Sequence, residues 1–169
     1  MGRPRAFDEG HVIRAAAELF AAHGYEGTSI DDLVNGLGVH RGSLYKVFGS
    51  KRGLYASALR THVEEQVRPL TAALAASGDL AQALASAAAS YDSGPAAGLL
   101  LLAAVERAPH DPEIAELVAD AFQALDQALA DFAPPELAPA LTATVLGARI
   151  RNQPGPVINL ARHIRPTGD

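Results

Sequence analysis

The sequence predicts an all-α protein, and three observations support this. Alanine is abundant, and Leu, Glu, Gln and Arg, which all favour helices, supply most of the remaining residues. No segment shows the alternation of apolar and polar residues that is typical of a half-buried strand. Apolar residues recur instead at helical spacing between glycines and prolines, as in Ile30, Leu33, Val34 and Leu37. We therefore expect a helical core without a sheet.

The length and composition exclude several classes of protein. The 169 residues suit one domain or two small ones, and the hydrophobic fraction of 49% is sufficient for a core. No stretch has the apolar length of a membrane span, and the N-terminus lacks a signal-peptide layout. The absence of cysteine excludes disulfides, thiolate metal sites and cysteine nucleophiles. We expect a soluble cytoplasmic protein that does not bind a membrane.

The formal net charge of −5 is distributed unevenly along the chain. Residues 1–62 hold eight Lys and Arg against six Asp and Glu, whereas residues 63–169 hold six against thirteen. The basic pairs Arg3/Arg5, Arg41/Lys46 and Lys51/Arg52 all lie in the first part. Since nucleic acid prefers a basic surface, this asymmetry predicts two tasks in one chain, with any nucleic-acid binding in the first part.

Three helices are predicted before residue 50, of which the second and third are short. Asp8 is placed to cap the first helix, and Gly24 ends it. Thr28 or Ser29 caps the second helix, Gly38 breaks it, and a third covers about 40–48. Glycine suits such a turn because it tolerates positive φ. Two short helices joined by a tight turn form the helix-turn-helix pattern.

The third of these helices has two different faces. A rotation of about 100° per residue places Leu44, Val47 and Phe48 on the side that can pack against the first two helices. The outward and flanking residues are Arg41, Gly42, Tyr45, Lys46 and Gly49. Lys and Arg can donate to guanine O6 and N7, and a tyrosine hydroxyl can donate to phosphate. This face therefore predicts insertion into the major groove of double-stranded DNA.

Residues 7–60 resemble the TetR (tetracycline-repressor-like) family of bacterial regulators. The matching motifs are Leu19-Phe20 with Gly24-Tyr25, Thr28-Ser29-Ile30, Gly38-Val39 with Arg41-Gly42-Ser43-Leu44-Tyr45, and Phe48-Gly49-Ser50-Lys51 with Leu54. The resemblance implies an N-terminal three-helix helix-turn-helix DNA-binding domain over 1–50 and a helical ligand-sensing and dimerisation domain over 51–169. It implies a sequence-specific transcriptional regulator, in the first instance a repressor, that a small-molecule effector releases from a pseudo-palindromic operator. It also implies that the regulator works as a homodimer.

The resemblance also implies roles for individual residues. Phosphate contacts are implied for Ser43, Tyr45 and Lys51, together with Thr28 or Ser29. Base reading is implied around Arg41, Gly42 and Lys46. The chain departs from the family pattern at Val34 and Leu37, which replace small alanines, and at His40, which replaces a Ser or Thr cap. Its final region is also short and interrupted by prolines.

Further helices are predicted along the rest of the chain. A long helix from Lys51 to Leu74 has an inner stripe of Leu59, His62, Val63, Gln66, Leu70 and Leu74. Other helices are predicted over about 80–91, from Gly94-Pro95 to before Pro109, from Asp111-Pro112-Glu113 onward, and over about 135–149. One short helical piece is expected after Pro156. The dimer surface is predicted over 135–150 and 157–164, with Leu137, Leu141, Val145 and Leu160.

Candidate ligand-binding residues are those expected to point inward within the second part of the chain. The polar candidates are His62, Gln66 and Tyr91, and the apolar candidates are Leu59, Leu102, Val105 and Phe122. For each of them, an ordinary core position with a satisfied polar tip is the alternative interpretation.

The alternative functions are a helical enzyme and a structural or interaction protein without DNA binding. Glu106, His110, Asp111 and Glu113 place acids and a base close together, but Asp111 is explained as an N-cap and Glu113 as a partner of the helix dipole. The pair His62 and Glu65 supplies only two metal ligands, and no nucleophile motif or phosphate loop is present. We expect no catalytic residue, metal site or cofactor. A purely structural role would leave the exposed face of the third helix unexplained.

Each DNA-binding assignment also has a simpler alternative. Tyr45 could be a half-buried core aromatic, and Lys46 and Lys51 could be ordinary solvated charges. Arg3 and Arg5 could form a minor-groove arm or belong to a frayed terminus.

Overall fold

The computed structural model describes residues 8–89 and 94–150, and within these ranges it contains helices and no strand. The α-helices are α1 (Glu9–His23), α2 (Ile30–Leu37), α3 (Arg41–Phe48), α4 (Lys51–His62), α5 (Arg68–Ala75), α6 (Leu80–Ala89), α7 (Leu99–Leu102), α8 (Pro112–Ala130) and α9 (Ala138–Ile150). The all-α prediction is confirmed. The chain divides into two units: unit 1 contains the described residues up to Val63 and Pro95–Val118, and unit 2 contains the remainder.

The signals that begin and end the first helices act as predicted. The Asp8 carboxylate accepts the His11 N–H at 3.1 Å and caps α1. Ser29 caps α2 through a capping box with Asp32. The helices α1 and α2 end at Gly24 and Gly38, which have φ of 73° and 63°. Both glycines therefore occupy a conformation that other residues adopt only with strain.

The core of unit 1 is built around α1 and α4, which pack against each other. Its largest fully buried side chains are Phe20, Leu33, Leu44, Leu54, Tyr55, Leu59, Leu99 and Ile114. The rings of Phe20 and Tyr55 meet edge to face, with centroids 4.9 Å apart, a favoured aromatic geometry. The residues 95–98 pack on α1, and α7 packs on both α1 and α4. This core supports α2 and α3 from one side.

The predicted regular helix from Lys51 to Leu74 is wrong in its middle. A π-helical segment, Val63–Val67, separates α4 from α5. Pro69, in the first turn of α5, has no N–H to donate to the carbonyl four residues earlier, and its ring crowds that carbonyl. A π turn holds more residues than an α turn, so the buried face moves forward by one residue. Val67 is consequently buried and Gln66 exposed, so the inward position predicted for Gln66 is wrong.

The predicted helix between Pro95 and Pro109 is also irregular. It consists of a 3-10 turn at Pro95–Gly98, the short α7, a π-helical segment at Ala103–Arg107 and a 3-10 turn at Ala108–His110. Asp111 then caps α8 as expected, accepting the Ile114 N–H at 3.4 Å. Pro109 has no N–H to donate to the Val105 carbonyl four residues earlier, so regular α-helical hydrogen bonding cannot continue through it.

In unit 2, α6 packs against α5 and α9. The buried residues of unit 2 include Leu74, Leu80, Leu84, Leu125, Leu129 and Leu141. Of the predicted dimer residues, Leu137 is 43% exposed, whereas Leu141 is 3% exposed and belongs to the core of its own chain. Leu160, the segment 157–164 and the helical piece expected after Pro156 lie outside the described residues. Within the described ranges, every helix is too short or too polar to cross a membrane.

Candidate nucleic-acid interface

Helix α3 is held by one buried residue and presents most of its surface to solvent. It contacts α2 and α4, and Leu44 is its fully buried anchor. Phe48 is half-buried, as predicted for the packing side. Val47, which was assigned to the same side, is 40% exposed. It lies about 60° from Leu44 around the helix axis, at the edge of a narrow contact side, so that assignment is wrong.

The residues predicted to point outward on α3 do so. Arg41, Gly42, Tyr45 and Lys46 are all exposed, and Ser43 is half-buried. Tyr45 is 42% exposed, which favours a surface position over the alternative of a half-buried core aromatic. Among the described residues, no carboxylate forms an ion pair with Lys46. The exposed face of α3 therefore combines cations, a phenol and an apolar edge.

Gly42 has no role in the packing of its own chain. A Cβ built at this position meets no atom within 4 Å, and its φ is not in the positive range. Glycine in a helix costs about 0.5–1 kcal/mol relative to alanine. Because Gly42 has no side chain, it leaves open surface on α3 where another molecule can come close to the helix backbone.

Thr28 and Ser29 have different roles at the start of α2. Thr28 is 1% exposed, and its hydroxyl donates to the Gly24 carbonyl at 2.6 Å. The predicted phosphate contact from Thr28 is wrong, because this hydroxyl is already bonded inside the fold. Ser29 is exposed, accepts the Asp32 N–H and donates to the Asp32 carboxylate. The Ser29 backbone N–H also donates to the Asp32 carboxylate, at 2.8 Å. The hydrogen bonds that the Ser29 hydroxyl and N–H donate to this carboxylate lower the pKa of Asp32.

Lys51 begins α4 beside an aromatic ring. Ser50 caps this helix by accepting the Gly53 N–H at 3.0 Å. The Lys51 Nζ lies 4.2 Å from the centroid of the Tyr25 ring, within the range of a cation–π interaction. The ammonium group is thereby held at the N-terminus of α4, on a side chain that is half-buried.

The turn after α1 is anchored by a residue that sequence analysis did not assign to it. The Glu106 carboxylate accepts the Tyr25 N–H at 2.8 Å and the Glu26 N–H at 3.3 Å. A Cβ on Gly24 would lie 2.8 Å from Glu106 Oε1, at the end of a flexible side chain, so the positive φ is the main reason for glycine at this position. The guanidinium of Arg107 lies 4.3 Å from the Tyr25 ring centroid. The sequence signals were the Gly24-Tyr25 motif and the segment Glu106–Glu113, but nothing in them joins the two.

Arg52 forms an ion-pair network instead of contributing to an open basic surface. It binds both oxygens of Asp111, at 2.7 and 2.8 Å, and one oxygen of Glu113 at 2.9 Å. Arg60 binds the other oxygen of Glu113 at 2.6 Å. The Asp111 side chain is 3% exposed, and its hydrogen bonds with Arg52 lower its pKa to about 2. The acids that suggested an enzyme thus have structural partners.

The candidate ligand residues are spread over both units. In unit 1, Leu59 and His62 are buried on α4, Leu102 is half-buried on α7, and Val105 is 79% exposed. In unit 2, Phe122 is half-buried and Gln66 is exposed. The inward orientation predicted for Gln66 and Val105 is therefore wrong within the chain, since both lie at π-helical segments that shift the buried face. Tyr91 lies outside the described residues.

Comparison with known proteins gives a family match over the same N-terminal part of the chain that contains α2 and α3. The family model described as bacterial regulatory proteins, tetR family, matches residues 12–58. The chain is 36% identical over 124 residues to the uncharacterized HTH-type transcriptional regulator YezE of Bacillus subtilis (strain 168), covering 68% of this chain and 62% of YezE. It is 32% identical over 136 residues to the HTH-type transcriptional repressor BdcR of Escherichia coli (strain K12), covering 78% of this chain and 68% of BdcR. The chain thus spans less than two thirds of the length of YezE.

Solved structures resemble the chain over almost its whole length. A cysteine mutant of the TetR family regulator CifR, complexed with 26-bp double-strand operator DNA, has a TM-score of 0.72 and 25% identity, and covers 97% of this chain and 100% of that one. The reduced form of E. coli NemR has a TM-score of 0.74 and 21% identity, covering 95% and 98%. The helix-turn-helix geometry, the family match and the identity to BdcR lead to one conclusion: the chain belongs to the TetR family of bacterial regulatory proteins.

Proposed function

We propose that this chain is a sequence-specific transcriptional regulator, a repressor that binds operator DNA through α3. The observation that carries this proposal is the composition of the exposed face of α3. Arg41, Gly42, Tyr45 and Lys46 are all exposed, and Gly42 has no packing role of its own. A major groove about 12 Å wide admits one helix, and these side chains match its donor and acceptor pattern.

Phosphate and base contacts are divided between different residues. We assign phosphate contacts to Ser43, Tyr45 and Lys51, with Ser29 at the start of α2. Base contacts are assigned to Arg41 and Lys46, with Gly42 allowing close approach. Phosphate contacts fix the position of a protein on the duplex, whereas contacts to base edges carry sequence information. Substitutions in the two groups should therefore have different effects.

We further propose that the regulator is a cytoplasmic homodimer with a helical effector-binding domain over 51–169, distinct from the DNA-binding domain over 1–50. Two α3 helices about 34–36 Å apart would read half-sites separated by one turn of DNA, and so a pseudo-palindromic operator.

An effector that prefers a conformation with mis-spaced α3 helices would shift the population away from DNA. The helical stretch from Lys51 to Ala75 is the proposed lever. A ligand-bound structure with unchanged α3 spacing would contradict it.

The experiment that tests DNA binding is selection of bound sequences from random duplex DNA. We expect an enriched pseudo-palindrome and an affinity that falls steeply with salt, because neutralised phosphates release counterions. Failure to enrich any sequence would contradict the proposal. Turnover of a substrate that survives loss of the first 50 residues would instead support the enzyme alternative, which the structural pairing of Asp111 and Glu113 disfavours.

Variants then separate the two groups of contacts. Tyr45→Phe combined with Lys51→Ala should weaken binding to all duplexes alike. Lys46→Ala or Arg41→Ala should change the preferred sequence, with a loss of about 1–3 kcal/mol of discrimination at the affected base pair. Glu18→Gln, on the exposed side of α1, is the control and should change neither property. Unchanged affinity and preference in all four DNA-face substitutions would refute the assignment.

A further inference from the structure

An ion pair joins the first turn of α2 to the first turn of α3. Arg41 Nη2 donates to Asp31 Oδ1. The two side chains are 53% and 75% exposed, so the pair lies at the surface beside the proposed base-reading residues. Exposed ion pairs contribute little to folding stability. Holding α2 and α3 together is therefore not a sufficient reason for this pair.

Asp31 is also not needed to cap α2. The capping box of this helix is formed by Ser29 and Asp32. Within the part of the chain that the structure describes, the Asp31 carboxylate has Arg41 as its hydrogen-bonding partner. A carboxylate on a surface that approaches phosphates opposes binding, because it adds to the negative charge that must be neutralised. Its position is explained if the interaction with Arg41 improves another property of the complex.

We propose that Asp31 is a positioning residue for Arg41 and thereby determines sequence preference. This inference rests on the proposed DNA-binding function. A guanidinium has five donors in a planar fork, so the donor given to Asp31 leaves others free for a base edge. An arginine held in one orientation can make the bidentate contact that distinguishes guanine. A released arginine can turn to phosphate instead, and that contact carries no sequence information.

The test compares Asp31→Ala and Asp31→Asn with the parent chain on the selected duplex and on a scrambled duplex, over a range of salt concentrations. In Asp31→Ala, preference for the selected duplex should fall about threefold to tenfold. Affinity for the scrambled duplex should rise, with a salt slope steeper by up to about 0.9, since Arg41 becomes available to phosphate. Asp31→Asn loses the same charge but keeps an acceptor oxygen, so its loss of preference should be smaller.

Two controls separate positioning from charge and from folding. Glu18→Gln removes one negative charge from the exposed side of α1 and should leave the preference unchanged. In the Arg41→Ala background, Asp31→Ala should produce no additional loss of preference. Full preference in Asp31→Ala, or an equal loss with and without Arg41, would overturn the inference. If the parent chain itself shows no preference, the proposed function fails first, and this inference fails with it.

Discussion

Thr28 and Ser29 are neighbours with opposite environments, and this difference can be tested at Thr28. Thr28→Val keeps the shape of the side chain but removes the hydrogen bond to the Gly24 carbonyl. We expect a loss of about 1 kcal/mol in the free energy of unfolding and unchanged DNA affinity of the folded protein. Denaturant titration and DNA binding measure the two effects.

Thr71 provides the matched control, because its hydroxyl donates to the Arg68 carbonyl at an exposed position. Thr71→Val should cost less than Thr28→Val, since water can replace the lost partner. A DNA affinity that falls in Thr28→Val without a change in stability would restore Thr28 as a phosphate contact.

Asp111 gives the protein a pH-dependent contribution to stability. Its pKa is lowered from 3.8 to about 2 by the hydrogen bonds with Arg52. A lowered pKa in the folded state means stability that is present above about pH 4 and lost as the pH falls through about 2. Arg52 is 44% exposed, so solvent screening reduces the contribution to about 1–2 kcal/mol.

Asp111→Asn should therefore be less stable than the parent chain at pH 7, with the two stabilities converging towards pH 2. Asparagine keeps an N-cap acceptor for α8, so the difference reports the charge and not the cap. Urea unfolding at a series of pH values measures it. The exposed Asp120→Asn on α8 is the control. Parallel stability curves for Asp111→Asn and the parent chain would show that the ion pair is not a source of stability.

Among the elements, the turn between α1 and α2 depends on Glu106. Glu106→Ala leaves the N–H groups of Tyr25 and Glu26 without their acceptor, whereas Glu106→Gln retains an acceptor oxygen. We expect hydrogen exchange of these two amides to accelerate about tenfold or more in Glu106→Ala and less in Glu106→Gln. The Gly49 amide, bonded to the Tyr45 carbonyl at 2.9 Å, is the internal reference. Exchange of the two amides at the parent rate in Glu106→Ala would show that the carboxylate does not hold the turn.

The elements also show where local sequence patterns lose their predictive value. Periodicity places Gln66 in the inner stripe, but that reasoning assumes a regular α-helix through Pro69. The π-helical segment Val63–Val67 moves burial to Val67. The prediction of α1 and α2 succeeds because their caps act within three or four residues, as Asp8 does on the His11 N–H. One irregular turn changes which residues face the core for the remainder of a long helix, whereas a short helix ends before such a turn occurs.

At the scale of the whole molecule, several N-terminal cations that the sequence offers for DNA binding are already paired with acids. Of the N-terminal cations, Arg52 and Arg60 are paired with Asp111 and Glu113, and Arg41 with Asp31. The positive charge available to DNA is therefore concentrated on a few groups such as Lys46 and Lys51. Two copies of the DNA-binding domain would then be needed for tight binding to DNA, which makes dimerisation central to the proposed function.

We expect light scattering to give the mass of two chains at micromolar concentration. Leu137→Asp, at a residue that is 43% exposed in unit 2, should shift the equilibrium towards one chain. Val47→Asp is the matched control, because Val47 is 40% exposed on the proposed DNA face and should leave the mass unchanged. A mass of one chain for the parent protein would contradict the dimer.

The sequence by itself determined the helical class, the caps of α1 and α2 and the outward direction of Arg41, Tyr45 and Lys46. These follow from neighbours within one or two helical turns, where spacing and propensity act directly. Only the tertiary structure decided the partners of Glu106 and Asp111, which bind groups 81 and 59 residues away in the chain. It also assigned the Thr28 hydroxyl to the interior and brought Asp31 to Arg41. Such contacts depend on how helices pack in three dimensions, and one-dimensional periodicity carries no record of that packing.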